Sequence, residues 1–463
     1  MKKIIISLML WLPMSLFGAQ IVPAEFNEYV DLMCVMWRLA GATEYNVPVS
    51  NPYSDSADKH FKQYSSHSAV QLAKNYYEKG VGYDAVASYG AMLQMTDDGR
   101  IAFNKSVIDD LDYRWEDEMK SEFLTELNAF YADTHFHEWF VANEALQKDI
   151  VRAFQKVSQQ IDIEWLGKFF SNNANAEFRL IVCPLAGVNN YGVSMKRTDG
   201  TSLLCPVISC LTYEKGQYKF DSDVVLPIIV HEFCHPYCNP LIDRYWEGIA
   251  PTAEKAFRER EKQLSQQAYT NAGIMMYETF VRASVIRYMQ EHYTDKQVNV
   301  PRLIQIEEDA GFLLTETMFE ALTDYQAKRH ENHDMTDFFP LLANAVNGFD
   351  IGRYNEEKAE KEKQLVHYEC NIRDGAENVP AGDMIVTITF DRPMRPSVSI
   401  GMTTEEFPKY KEYKWSDDQR TLSVTFNTEP NHTYGFTIMG QHFISQDGIN
   451  AVSSTIVFKT AAE

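Results

Sequence analysis

His231-Glu232-Phe233-Cys234-His235 sets two imidazoles four residues apart with a carboxylate next to the first. On a helix, residues i and i+4 stack on one face, so His231 and His235 can share one metal ion. Glu232 sits about 100° round the helix from His231, where its carboxylate can meet a water held by that ion. The chemistry implied is a metal-activated water with a neighbouring general base, at the spacing of a zinc site. A buried, hydrogen-bonded core pair is the competing reading, but two histidines and a glutamate are costly core residues without a metal.

A catalytic zinc ordinarily takes three protein ligands and leaves the fourth position to water. Cys238 and Leu241 stand where the glycine and third histidine of H-E-x-x-H-x-x-G-x-x-H would be. The third ligand is therefore expected to be a carboxylate on a later helix. Asn271 to Tyr293 is the best helical stretch downstream, and Glu278 lies inside its apolar stripe of Ile274, Met275, Val281, Val285 and Met289. A buried acid needs a partner, so Glu278 is expected to hold the metal, oriented by Arg282 one turn on. A plain Glu278–Arg282 ion pair is the bland alternative. Glu316, among Phe312, Leu313 and Phe319, comes next; Glu247, in a Gly/Pro-flanked turn, and Glu254, on a mostly polar face, rank below it.

The element that must carry the motif begins at Asp221-Ser222-Asp223, which offers N-cap side chains, with Pro227 in the first turn. Val224, Val225, Leu226, Ile228, Ile229 and Val230 then run into His231, a helix apolar on nearly every side and so buried. Pro236 and Asn239-Pro240 predict that this helix kinks or ends just past the motif. Cys234 points away from the His231/His235 face, and it and Cys238 read as small buried hydrophobes. His135 and His137, two residues apart, fall on different helix faces and predict no second metal site.

With a helical Glu278 the constellation resembles the gluzincin branch of zinc peptidases, in which His, His and Glu bind the metal. The run His231 to Pro240 (HEFCHPYCNP) together with Tyr277 to Ala283 (YETFVRA) is more closely similar to a family of secreted bacterial proteins of uncharacterised function, over roughly residues 20 to 365. The resemblance implies a zinc-dependent (Zn2+) peptidase acting on peptide or protein, with no particular sequence preference. The Asn-Glu and Ser-Asp context of thermolysin-like enzymes is missing around Glu278, so the oxyanion donor stays open between Tyr237, Tyr245 and Tyr191. In this reading zinc brings its water towards a pKa of ~7, and Glu232 takes the proton and passes it to the leaving amine. Two other functions use the same residues: hydrolysis of an amide in cell-wall or glycan material, and a non-catalytic surface binding protein with a degenerate site. The intact Glu232 speaks against the second.

Lys2 and Lys3, the apolar run Ile4 to Phe17, and Gly18-Ala19 read as a signal peptide over residues 1–19. That run is short for a membrane span, and the first cysteine is Cys34, so neither a membrane anchor nor a lipid anchor is expected. The expected location is periplasmic or extracellular. A formal net charge of −22 argues against nucleic acid or anionic membrane as partner. Seven cysteines form an odd, sparse set; this is no disulfide framework, although one or two bridges suit an oxidising compartment.

The fold class expected is α+β: a zincin-like catalytic region with many helices over residues 20–355, a charged linker at 356–367, and a small all-β sandwich at 368–463. Helical periodicity marks Phe26 to Leu39, Ser68 to Tyr77, Val107 to Gln155 and Thr252 to Phe349. Glu177 to Met195 reads as strand, turn, strand, and Ser202 to Tyr213 as a further strand. An edge strand beside the motif helix is expected to line the cleft and pair with an extended peptide, with Asn189 to Gly192 in its rim. The run Glu356 to Lys363 is charged without an apolar stripe. Met384 to Phe390, Thr421 to Phe426, Thr433 to Met439 and Thr455 to Lys459, separated by turn clusters, predict the sandwich. Asp374 to Pro380, Ile388 to Met394 and Arg420 to Phe426 resemble the bacterial Ig-like domain of surface-layer type. That likeness implies a spacer or adhesion module, with cell-surface or glycan contact and no chemistry.

Overall fold

The computed structural model describes residues 24–462 apart from 48–49, 109–110, 172–175, 266, 268, 294–297, 330–333, 402 and 404. The signal peptide read at 1–19 lies outside the described residues. The fold is mixed α+β and divides into two compact units, one reaching Phe349 and the other starting at Asp350.

In the first unit, helix ends follow local chemistry. Asn27 Oδ1 accepts from the N–H groups of Tyr29 and Val30, both at 3.0 Å, and opens the helix Glu28–Ala40, which stops where Gly41 takes φ 86°. That left-handed position costs least at glycine. Asn271 Oδ1 opens Ala272–His292 in the same way, accepting from Ile274 N–H at 2.9 Å. The helical pattern read across Val107 to Gln155 is interrupted: helices occupy Asp117–Asp133, Phe136–Ala142 and Glu144–Ser158, whereas Val107 bridges to Arg197. Side chains of Asn104 and Asp112 accept from the N–H groups of Ser106 and Arg114, turns that compete with helix formation.

Two small sheets lie beside these helices. One holds Ala24–Glu25, Leu180–Val182 and Val207–Ile208 in parallel. The other pairs Ala176–Phe178 with Ser202–Leu204 in parallel and ends in the antiparallel edge Ser194–Lys196. The single strand read from Ser202 to Tyr213 is broken into Ser202–Leu204, Val207–Ile208 and Leu211–Glu214, because Pro206 has no N–H for a ladder. Along the edge, Tyr191 and Val207 exchange two backbone bonds at 2.9 and 2.8 Å, Cys205 N–H donates to Val193 at 2.8 Å, and Arg197 N–H donates to Thr201 at 2.7 Å. Alternate residues of an antiparallel strand bond to the same neighbour. The N–H and C=O of Gly192 and Ser194 therefore point away from that neighbour, on the side where Lys196 O, further along, accepts from Ile108 N–H at 2.8 Å.

The motif helix runs from Ser222 to Ser265 for 44 residues, through Pro227, Pro236, Pro240 and Pro251, and departs from helical torsions only at Arg260. A kink or an end was expected just past the motif; the helix does not end there. An internal proline costs about 3 kcal/mol. Against this, Val225/Leu226, Ile229/Val230, Phe233/Cys234 and Tyr237/Cys238 are all buried, at a turn's spacing. Past Pro240, Ile242, Ile249, Phe257 and Leu264 are buried as well, and burying each such side chain contributes roughly 1.5–3 kcal/mol, a gain on the scale of a proline's cost. Glu247 accordingly sits on this helix, exposed, and not in a turn. The residues between the buried pairs, His231, Glu232, His235 and Asn239, form a half-buried stripe on the other face. Among the described residues no helix is long and apolar enough to cross a membrane.

The second unit opens with the helix Ile351–Lys363, which carries the charged run and buries none of its residues. Its strands form two four-stranded sheets. The first is ordered Tyr368–Cys370, Gly382–Phe390, Thr421–Thr428, Lys409–Trp415; the second Ala376–Val379, Ser454–Thr460, Thr433–Ile438, Ile400–Gly401. Val386, Ile388, Leu422 and Val424 of one meet Phe436, Ile438, Ile456 and Phe458 of the other in a single core. Lys409–Trp415 was not foreseen, because its lysines and tyrosines do not alternate apolar with polar. Lysine on an edge strand is a common guard against unwanted pairing.

Candidate metal centre

Glu278, in the middle of Ala272–His292, turns its carboxylate towards both motif imidazoles. Its Oε2 lies 3.3 Å from His231 Nε2 and its Oε1 lies 3.7 Å from His235 Nε2. The two imidazole centroids are 5.0 Å apart. His231, Glu232 and His235 each offer an atom within 4.8 Å of the others, and no second such cluster of His, Cys, Asp or Glu occurs among the described residues. That cluster counts Glu232, while the shortest contacts put Glu278 against the imidazoles. Glu278 is the better ligand of the two because it touches both Nε2 atoms and is ionised.

Electrostatics separates the two carboxylates. Burial alone would raise Glu278, but the His231 hydrogen bond and the charges of His231, His235 and Arg282 hold it at about 2. Burial pushes Glu232 up to about 7; His235 opposes this, and Glu278 and Asp84 add to it. One acid stays charged and the other sits near the point of proton exchange, which divides ligand from base. Burial and the neighbouring His231 push His235 down, favouring the neutral imidazole a metal requires. His235 Nδ1 lies 3.2 Å from Asn239 Oδ1, an interaction that directs Nε2 towards Glu278.

Arg282 holds the Glu278 carboxylate from behind. Its Nη2 donates to Glu278 Oε2 at 3.2 Å and to Tyr269 Oη at 3.0 Å, and its Nη1 donates to Glu307 Oε2 at 2.6 Å. The guanidinium also covers the Phe312 ring at 4.1 Å. Ion pair and ligand are thus compatible roles for Glu278. A β-carbon placed on Gly192 would be 2.1 Å from Glu232 Oε2, so the backbone at Gly192 lies directly on that carboxylate.

The other sequence candidates are elsewhere. Glu316, Glu247 and Glu254 are exposed, and Glu254 pairs with Arg258 at 3.5 Å. Cys234 and Cys238 are wholly buried and their thiols are pushed up by burial. His135 faces Glu138 at 3.6 Å and His137 faces Glu28 at 3.0 Å. Of the three tyrosines weighed for the oxyanion, Tyr237 stacks on Phe170 at 4.9 Å. Tyr245 donates to Thr336 O at 3.1 Å, and Tyr191 is buried against Tyr45. The residue missed from sequence is Tyr269. Burial raises its phenol, the charges of Glu278 and Glu232 add to this and Arg282 opposes it, and its Oη accepts from the same Arg282 Nη2 that donates to Glu278. Its one sequence signal was its place just before Asn271, the cap of the ligand helix.

A family model described as a domain of unknown function, DUF4932, matches residues 26–345. No curated protein matches the chain. Among solved structures, domains 1–6 of surface layer protein SbsC are 12% identical over 51% of this chain and 33% of that one, with a TM-score of 0.16. A second crystal structure of the S-layer protein is 14% identical over 50% of this chain and 33% of that one, at 0.17. The N-terminal part of bacterial S-layer protein SbsC is 11% identical over 48% of this chain and 57% of that one, also at 0.17. The chain thus spans about a third of the first two, and likeness at this level carries no argument about fold or activity.

Proposed function

The chain belongs to the DUF4932 family, a domain of unknown function, and we propose that it is an exported zinc-dependent peptidase whose first unit carries the chemistry. The observation that carries this reading is Glu278 set against both imidazoles of the H-E-x-x-H pair, with Glu232 beside them under the Gly192 edge. Two imidazole nitrogens and an ionised carboxylate, backed by Asn239 and Arg282, are a donor set that suits zinc. His231, His235 and Glu278 would hold the ion. The chemistry supplied by a bound zinc would be Lewis acidity, towards a carbonyl oxygen and a water whose pKa would fall towards ~7.

The chain's own residues supply the remaining steps. Glu232 takes a proton from the attacking water and returns it to the leaving amine. Tyr269 Oη receives an N–H from Arg282, which is donor-only, and so keeps its own O–H for the carbonyl oxygen as negative charge grows there. Gly192 and Ser194 offer outward backbone groups to an extended peptide. Lys2, Lys3 and the apolar run after them support export. The likeness of the second unit to bacterial Ig-like modules supports a spacer or adhesion role at a cell surface or glycan.

Purified protein should carry about one zinc per chain, lost in His231→Ala and His235→Ala. Glu232→Gln should keep zinc and fold while peptide hydrolysis falls about 10²–10⁴-fold. Wild-type cleavage rates in Glu232→Gln would remove the mechanism. Zinc-loaded protein that cleaves muropeptide amides but no peptide would move the substrate to cell-wall material, and cleavage of neither would leave a binding protein.

A further inference from the structure

Cys34 lies in the middle of the helix Glu28–Ala40, and Cys183 directly follows the strand Leu180–Val182. Although 149 residues apart in sequence, their sulfurs are 3.5 Å from each other, and both side chains are wholly buried. No other pair of thiols among the described residues is in such contact. Neither belongs to a cluster able to hold a metal, so oxidation is the chemistry open to them. An S–H···S contact between two small core residues would leave the same spacing, and a direct thiol count separates the two.

We propose that Cys34 and Cys183 are a modification site, oxidised to a disulfide in the mature protein. The sulfurs, 3.5 Å apart, are already in contact, against the roughly 2.05 Å of a disulfide bond. The step is a thiol–disulfide exchange during folding, before the pair is covered. One thiolate attacks a disulfide-bearing oxidant, and the second cysteine then displaces the mixed disulfide. Two protons and two electrons leave the pair, and the oxidant departs as two thiols. Export to an oxidising compartment supplies that oxidant in the cell, and in this respect the inference rests on the export reading.

The bond would act on the wall of the candidate site. Cys183 N–H donates to Ile208 O at 3.0 Å, and Tyr191 exchanges bonds with Val207. The segment between them is thus held at both ends to one strand, and it leads straight into Gly192 over Glu232. A Cys34–Cys183 bond would fix the near end of that segment to the first helix and close a long loop of the unfolded chain, the case in which a cross-link stabilises most.

The test uses full-length protein directed to a periplasm by an independent leader, so the result does not depend on the native address. Denatured without reductant and alkylated, the chain should gain five alkyl groups on its seven cysteines, and digestion should give one linked pair of peptides, carrying Cys34 and Cys183. Reduction should restore seven groups and lower the melting temperature of the first unit by about 5 °C. Cys34→Ala should be insensitive to reductant. Seven alkylated thiols without reductant, or a link joining another pair, would overturn the proposal. Fractionation of native cells reads export on its own.

Discussion

A β-carbon on Gly192 would fall 2.1 Å from Oε2 and 2.6 Å from Cδ of Glu232. Gly192 is not among the glycines with positive φ, so its torsions do not require glycine; the approach of Glu232 does. Gly192→Ala should therefore leave the backbone in place and displace the carboxylate, the flexible partner of the two. Misplacing a catalytic group by about 1 Å costs on the order of 10²-fold in rate. The expected result is a kcat lower by that order with zinc content unchanged. Loss of zinc together with activity would show that Gly192 supports the ligands and not the base.

Arg282 links Glu278 to Glu307 and Tyr269, so any effect on a bound metal would pass through Glu278. Arg282→Gln should weaken zinc binding about 10–100-fold, the scale for a residue that orients a ligand. It also strands Glu307, so stability should fall, by about 1–3 kcal/mol for a pair that is partly exposed. Arg282→Gln combined with Glu307→Gln should recover part of the stability and none of the zinc affinity. Equal recovery of both would mean that Arg282 serves only the Glu307 pair.

The meeting of the motif histidines with Glu278 was legible because each partner is encoded within one helix: two histidines a turn apart, and an acid inside the apolar stripe of Ile274, Met275 and Val281. Gly192 was placed in a rim but not against Glu232, since that contact joins residues forty positions apart and leaves no local mark. Tyr269 lies between helices, where periodicity is silent. A kink or an end was expected just past the motif, and the helix runs on beyond Pro240 because the local proline rule met further buried side chains there, Ile242, Ile249 and Phe257 among them. Val107 to Gln155 was over-read because Asn104 and Asp112 make turns that an apolar count does not register.

Tyr269→Phe keeps the ring, which meets Phe312 edge-on at 5.3 Å, and removes only the hydroxyl. If that hydroxyl meets the developing oxyanion, kcat should fall about 10²–10³-fold, with KM little changed and zinc retained. A structural role predicts the opposite: reduced stability or zinc content and an unaltered kcat per folded, zinc-loaded molecule. An unchanged kcat would return the oxyanion role to another donor.

Asp31 gives a pH dependence that does not involve the metal. It is wholly buried, its Oδ2 accepts from Tyr53 Oη at 2.6 Å, and its Oδ1 has no partner. Burial pushes its carboxyl up to about 7, with Tyr53 and Cys183 opposing and Glu28 adding. Tyr53 is itself pushed well above its usual range, as is Cys183 in its thiol form; joined to Cys34, Cys183 has no proton to lose and no longer opposes the Asp31 shift, so neither titrates in the same window. At low pH, Asp31 is protonated in both folded and unfolded chains and costs nothing. As pH rises from about 4 to about 7, the unfolded chain loses a proton that the folded one keeps, so stability falls through that window and then levels off. Asp31→Asn removes this penalty while retaining an acceptor for Tyr53. Relative to wild type, its first unit should gain stability between pH 4 and pH 8, by up to about 4 kcal/mol at 1.36 kcal/mol per pKa unit. Urea midpoints of both proteins across that range measure the difference, and a gap that does not change with pH would show that Asp31 is ionised in the folded chain.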